Sequence, residues 1–133
     1  MFRTFLVKKD ERALLFNRGD FVQVLSPGEH IKFDPLQRLS IEKFSLTQTA
    51  FVHRLAEYFI NTETDLVERE FYLIKLANDQ VGLRYENGVL VEVLAPNTRR
   101  LYWKGFVELA HTVVNIATDF RVEDNLAKQL VES

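Results

Sequence analysis

Asp10-Glu11-Arg12-Ala13-Leu14-Leu15-Phe16-Asn17-Arg18-Gly19-Asp20-Phe21-Val22-Gln23-Val24-Leu25-Ser26-Pro27-Gly28 has a second version in residues 79–97, and this pairing decides the fold. At a constant offset of 69, Asp10 falls on Asp79, Leu14 on Leu83 and Gly19 on Gly88. Val22, Val24, Leu25 and Pro27 fall on Val91, Val93, Leu94 and Pro96, which makes seven identities in the 24 positions from 10 to 33. Phe16 meets Tyr85, and further on Phe33 meets Tyr102. Matched turn markers between matched apolar runs indicate a duplicated unit, and two copies are too few for a solenoid.

Each conserved feature of the two copies has a backbone reason. Asn87-Gly88 lies between Val81–Glu86 and Val89–Leu94 and predicts a hairpin, because a type I′ turn needs positive φ at both central residues. Arg18-Gly19 holds the same place in the first copy. Pro27-Gly28 suits a type II turn, with proline presetting one φ and glycine supplying a positive one, and Pro96-Asn97 suits it in the second. By strand alternation Val22 and Val24 share a face, as do Val91 and Val93, while Gln23 and Glu92 look the other way.

Working outward, Phe2–Val7, Leu39–Leu46, Glu68–Leu76 and Leu109–Ala117 read as further strands. Thr49–Ile60 places Phe51, Leu55, Tyr58 and Phe59 near helical spacing and predicts a short helix capped by Thr47 or Thr49. Asn61–Asp65 reads as a loop. Val122–Val131 suits a terminal helix with Asp119 as its cap. The fold class expected is mainly β (β-rich α+β): two repeated hairpin units in a sandwich or open barrel, with one or two short helices.

The chain is 133 residues, which fits one domain over 1–133 with repeat units at about 10–33 and 79–102. It is 47% hydrophobic and 27% charged, a balance that excludes disorder, and its eleven Phe favour packing on sheets. The net charge of −2 gives no global attraction to nucleic acid or to an anionic membrane. Without cysteine, disulfides, thiol catalysis and thiolate-bound zinc are excluded. Met1 to Lys9 is too quickly charged for a signal peptide, and no apolar run reaches the ~18 residues of a membrane span. The localisation expected is cytoplasmic.

No catalytic pattern emerges. His30, His53 and His111 stand far apart, outside any metal-ligand spacing. Acids gather at Glu63, Asp65, Glu68 and Glu70 and again at Asp119, Glu123 and Asp124, where loops and helix starts use them for capping and solvation. Nucleophile elbows, phosphate loops and dinucleotide fingerprints are missing. Arg18-Gly19-Asp20 spells an adhesion tripeptide but reads as turn chemistry. The sequence therefore reads as non-enzymatic, with no catalytic residue, metal or cofactor assigned.

What remains is structural turns and one patch. The turns are Gly19, Pro27, Gly28, Gly88, Pro96 and Asn97. The patch, Arg99-Arg100-Leu101-Tyr102-Trp103-Lys104, interleaves cations with aromatics, a pattern that binds single-stranded nucleic acid by stacking and phosphate contact. Alternation places Arg100, Tyr102 and Lys104 on one face and Arg99, Leu101 and Trp103 on the other, which favours one packed and one solvated face. Arg99, Arg100, Tyr102, Trp103 and Lys104 are thus the candidate partner surface, with protein favoured over nucleic acid.

Residues 11–33, from Glu11-Arg12 through the apolar strand, the Gly19 turn, the second strand and Pro27-Gly28-Glu29-His30, resemble the opening segment of SPFH (Band 7) domains, found in stomatins, slipins, prohibitins and flotillins. The second copy, through Leu101-Tyr102-Trp103-Lys104-Gly105, is similar to the region ahead of the Band 7 domain in some bacterial slipins. The resemblance covers about 50 residues. The hydrophobic anchor and the coiled-coil tail of that family are missing, and Asn97 and Arg99 stand where it has Gly and His. The resemblance implies an N-terminal piece of a longer slipin-like protein. Its role would be a non-enzymatic scaffold or assembly module, homo-oligomeric in the full-length protein, with protein partners and peripheral contact at the cytoplasmic face of a membrane. The alternative is a small-ligand or nucleic-acid binding β-domain that uses the Arg99–Lys104 strand.

Overall fold

The structure, a computed structural model, describes residues 1–116; the expected helix over Val122–Val131 and its Asp119 cap lie outside them. Among the described residues the fold is mainly β with two short helices, and the antiparallel sheets do not close into a barrel. The chain divides into two compact units, Met1–Thr49 and Ala50–Ser133.

The first unit holds five strands: β1 (Phe2–Val7), β2 (Glu11–Asn17), β3 (Asp20–Leu25), β4 (Gly28–Phe33) and β5 (Leu39–Ser45). They form a two-stranded sheet, β1-β4, and a three-stranded sheet, β3-β2-β5. Phe5 and Val7 of β1 pack with Ala13 and Leu15 of β2 and Leu25 of β3, with Leu39 and Ile41 of β5 alongside. The two small sheets thus share one apolar layer, the smallest arrangement that hides one face of each.

In the second unit, α1 (Ala56–Thr62) and α2 (Thr64–Glu70) lead into β6 (Phe71–Lys75), β7 (Gln80–Glu86), β8 (Val89–Leu94), β9 (Arg99–Trp103) and β10 (Leu109–Asn115). Its sheets are β6-β9 and β8-β7-β10, the same topology as the first unit. Ile74, Leu76, Leu94 and Tyr102 form its core, with Tyr72 and Leu109 packed against them.

The duplication is therefore larger than two hairpins. Phe2 and Phe71 both open the first strand of their units, at the offset of 69. Both hairpin turns take positive φ twice, at Arg18 (57°) and Gly19 (87°) and at Asn87 (52°) and Gly88 (82°). Both hairpins also carry a bulge at the same place. Leu15 pairs Gln23 and Phe16 pairs Phe21, which leaves Val22 over; Arg84 pairs Glu92 and Tyr85 pairs Leu90, which leaves Val91 over. Even loop contacts repeat. Leu46 N–H donates to Asp10 O and Ile116 N–H to Asp79 O, both at 2.8 Å. The Lys8 amide donates to Glu11 Oε1 at 3.0 Å, and the Ala77 amide to Gln80 Oε1 at 2.8 Å.

One residue breaks the constant offset. Leu6 pairs Glu29, whereas its counterpart Lys75 pairs Arg99, so the offset becomes 70 after the proline turn. Gly28 (φ 134°) opens β4 directly, while Asn97 (φ 58°) is followed by Thr98 before β9 begins. In three dimensions Phe33 corresponds to Trp103, not Tyr102, and His30 to Arg100.

The helical region differs from expectation in three ways. The N-cap of α1 is Leu55, with no side-chain cap, so neither Thr47 nor Thr49 plays that part. Asn61–Asp65 is not a loop: only Glu63, with φ −103° and ψ 58°, interrupts two helices. Burial of Phe59 and Ile60 in α1 and of Leu66 and Val67 in α2 supplies what local propensity does not. The same burial holds Glu68 to Glu70 in α2, so the strand expected from Glu68 starts at Phe71.

Candidate interaction surface

The two-stranded sheet of each unit has an inner face, which belongs to the core, and an outer one. In the second unit the outer face carries Phe71, Leu73 and Lys75 from β6 and Trp103, Leu101 and Arg99 from β9, paired across the strands. It is covered. Phe71 and Trp103 lie 4.3 Å apart between ring centroids, and Phe51 closes on both, at 4.9 and 5.3 Å. Phe59 of α1 stacks on Phe51 at 5.7 Å and reaches Phe71 at 6.1 Å. Phe51 is held by its backbone, its N–H donating to Leu101 O at 2.9 Å beside a bridge between Ala50 and Tyr102. At the end of this face Arg99 bonds Glu57 of α1 and donates to Asn61 Oδ1 at 3.2 Å.

The corresponding face of the first unit carries Phe2, Thr4 and Leu6 opposite Phe33, Ile31 and Glu29. It is bare: Phe2 is 69% exposed, Phe33 and Ile31 62%, and Leu6 55%. The Phe2 and Phe33 rings meet edge to face at 5.3 Å, in the register position of Phe71 and Trp103. Covering a large apolar side chain is worth about 1.5–3 kcal/mol, so four on one small face make a surface with a strong preference for an apolar partner. Sequence reasoning missed it, although alternation in Phe2-Arg3-Thr4-Phe5-Leu6-Val7 marks two apolar faces. A second apolar strip runs along β8, where Val89, Leu90, Val91 and Val93 are all exposed.

The residues singled out from the sequence behave differently. Gly19, Gly28, Gly88 and Asn97 adopt the positive φ their turns require, and Pro27 and Pro96 precede two of them. The aromatic-basic strand is corrected. Leu101, Tyr102 and Trp103 are each about 1% exposed, so β9 is packed on both faces and its rings cannot stack on a partner. Arg99 is engaged with α1, and Lys104 Nζ donates to Glu68 O; of the five candidates Arg100 alone stays exposed.

Tyr102 instead joins a polar cluster with Arg84 and Glu92. Because Val91 is a bulge residue, Glu92 turns to the side of Arg84 and Tyr102, and Val93 turns outward. Arg84 donates from Nε to Glu92 Oε1 at 2.8 Å and from Nη1 to Glu86 Oε2 at 2.5 Å. Its guanidinium lies 4.3 Å over the Tyr102 ring, and the Tyr102 hydroxyl donates to Glu92 Oε1 at 3.1 Å. Burial and the Glu92 charge push the Tyr102 phenol up to about 12. Desolvation works against charged Arg84, but the bonds to Glu86 and Glu92 outweigh it and hold its pKa above the usual value. The first unit has Leu15 and Gln23 in these places, so the cluster stabilises one copy and is no site shared by both.

The histidines make separate hydrogen bonds: His30 Nε2 with Ser26 O at 2.7 Å and His53 Nδ1 with the Leu55 amide at 3.1 Å, both local, and His111 Nδ1 with the distant Tyr72 hydroxyl at 2.6 Å. Among the described residues no group of three His, Asp or Glu converges as a metal site. An open cleft of about 570 Å³ lies between Glu57, Lys75, Gln80, Asn97 and Arg99. No helix among the described residues is long and apolar enough to cross a membrane. Compared with protein-family models, curated proteins and solved structures, the chain matches none.

Proposed function

We infer that this chain is a non-enzymatic assembly module, a scaffold piece that works by presenting surfaces. The observation that carries this reading is the bare Phe2–Phe33 face, whose counterpart in the second unit is sealed by Phe51 and two helices. A surface already matched to an apolar cover is an interaction surface in need of an occupant. The likeness of residues 11–33 to SPFH domains supports the same role within a slipin-like, oligomeric protein held at the cytoplasmic face of a membrane. Against the ligand or nucleic-acid alternative, burial of Tyr102 and Trp103 removes the stacking rings it requires.

Sedimentation over a wide concentration range, with vesicle flotation alongside, tests the reading. Concentration-dependent association, or binding to vesicles, is expected. A chain that stays monomeric and ignores vesicles refutes it.

A further inference from the structure

In the second unit the cover does more than fill space, because it begins as a strand. Phe51 N–H donates to Leu101 O at 2.9 Å and Ala50 bridges Tyr102, so the segment joins the free border of β9 before it turns into α1. The first unit keeps that border open. Among the described residues β4 pairs only with β1. Asp34 N–H donates to Met1 O at 2.8 Å, as Lys104 N–H does to Glu70 O at 3.2 Å in the second unit. Bonded pairs alternate along an antiparallel ladder, so Lys32 and His30 bond β1 while the peptide groups of Ile31 and Phe33 point away from it. By register Ile31 stands where Leu101 does, and its carbonyl is the one that a cover such as Phe51 would use. An open strand border beside a bare aromatic face suits β-augmentation, in which main-chain bonds give affinity and side chains give choice.

We propose that this face takes a segment of a partner polypeptide that resembles residues 50–62 in form and opposes them in charge. It offers an aromatic on an extended residue that pairs with Ile31, then a short helix with a cation where Glu57 stands and a large apolar residue where Phe59 stands. This names the partner's chemistry for the assembly reading and rests on it. Charge fixes the sign. In the second unit the face ends in two cations, Lys75 and Arg99, and Glu57 of the cover bonds Arg99. Register puts Leu6 and Glu29 in those places in the first unit, so two cations give way to one exposed acid. Residues 50–62 of another copy would bring Glu57 against Glu29 and are disfavoured, whereas Lys or Arg at that position is attracted. The apolar part stays matched, since Phe2 and Phe33 meet edge to face where Phe71 and Trp103 lie. One charge thus separates the chain's own cover from the partner's, by repulsion as much as by attraction.

The probe is a labelled peptide of residues 49–62 carrying Glu57→Lys, titrated into the full chain by fluorescence anisotropy beside the native peptide. The Glu57→Lys peptide should bind about threefold to fivefold more tightly, and Glu29→Lys in the chain should reverse the order. N-methylation of the peptide's Phe51 amide should weaken binding severely, because it removes the donor to Ile31 O. Phe33→Ser in the chain should do the same; Phe33 is 62% exposed, so the variant keeps the fold, which circular dichroism checks. Equal binding of the two peptides, or a preference that Glu29→Lys leaves unchanged, overturns the proposal. No binding even at millimolar peptide, by a chain that still associates, overturns it and leaves the assembly reading in place. Vesicle binding that Phe33→Ser removes, without peptide binding, makes lipid the occupant and overturns it too. A chain that stays monomeric and binds neither vesicles nor peptide sinks both readings.

Discussion

Replacing Arg84 by leucine converts one position of the second unit into what the first already has, since Leu15 stands there. The bonds from Arg84 to Glu92 at 2.8 Å and to Glu86 at 2.5 Å are charge-assisted, and its contact with Tyr102 adds a cation–π attraction. Breaking a buried pair by removing one partner costs about 3–5 kcal/mol. The Glu86 and Glu92 side chains keep 23% and 34% of their exposure and can rehydrate, so the cost falls. Leucine also gains apolar burial of about 1.5–3 kcal/mol, which leaves a net loss of roughly 2 kcal/mol for Arg84→Leu. Glu92→Gln alone should cost about 1 kcal/mol through its weakened bonds to Arg84 and Tyr102. The pair together recreates Leu15 opposite Gln23 and should cost about 1 kcal/mol, well short of the sum, because no buried charge is stranded. Urea unfolding followed by fluorescence of Trp103, the one tryptophan in the chain and a buried residue of the second unit, measures all three. Additivity within about 0.5 kcal/mol would refute the reasoning, for it would mean that Arg84 and Glu92 act independently.

Arg18 sits at φ 57° where the second copy has asparagine, so Arg18→Asn should stabilise the first unit by about 0.5–1 kcal/mol in urea unfolding. Phe51→Ala removes a ring that is 3% exposed and packed on Phe59, Phe71 and Trp103; a loss of about 3–5 kcal/mol is expected, with Trp103 emission moving to the red. Spectrophotometric titration should show one of the four tyrosines ionising near pH 12 while stability contributed by Tyr102, full below its ordinary pKa of about 10, is lost as pH climbs through the raised value; Tyr102→Phe should delete that late component. Burial opposes ionisation of Asp34, but the amides of Arg38 and Leu39 and the Arg3 guanidinium outweigh it and hold the carboxyl below its usual range. Its contribution is present above the unfolded value of about 3.9 and fades as pH falls through the folded one, so Asp34→Asn should flatten the acid limb of a stability–pH curve.

Both hairpins were legible because their turns depend on residue types that few alternatives satisfy: Gly19 and Gly88 at positive φ, then Pro27 and Pro96. The strand Phe2–Val7 was legible too, from alternation alone. The full extent of the duplication was hidden by one inserted residue, Thr98, which moves Trp103, Leu109 and Ile116 off the constant spacing that revealed the rest. Burial was hidden in two places. Alternation set Glu92 opposite Val91 and Val93 but not which of the two faces is the packed one, because the bulge at Val91 leaves no signature in a run of valines. The polar look of Asn61–Asp65 hid two helices, whose stability comes from Phe59, Ile60, Leu66 and Val67 meeting a sheet about which local sequence says nothing. The basic and aromatic strand at Arg99–Lys104 looked like a surface because the groups that cover its outer face, Glu57 and Phe51 among them, lie about 40–50 residues away in the chain.

The bulge at Val91 has a consequence for how the chain behaves when it is not fully folded. Among the described residues β8 pairs only with β7, so Val-Leu-Val-Glu-Val-Leu lies along an open sheet border. Six residues of high β-propensity with a single charge have the length and character of segments that stack into cross-β fibrils. In the native unit the bulge bends that border, and the lone carboxylate is drawn in toward Arg84. Opening the unit releases both restraints together, so losing the Arg84–Glu92 bond removes a protection against fibril formation as well as a source of stability. The same irregularity that marks the two copies as kin keeps the stickiest strand of the second from finding a mate.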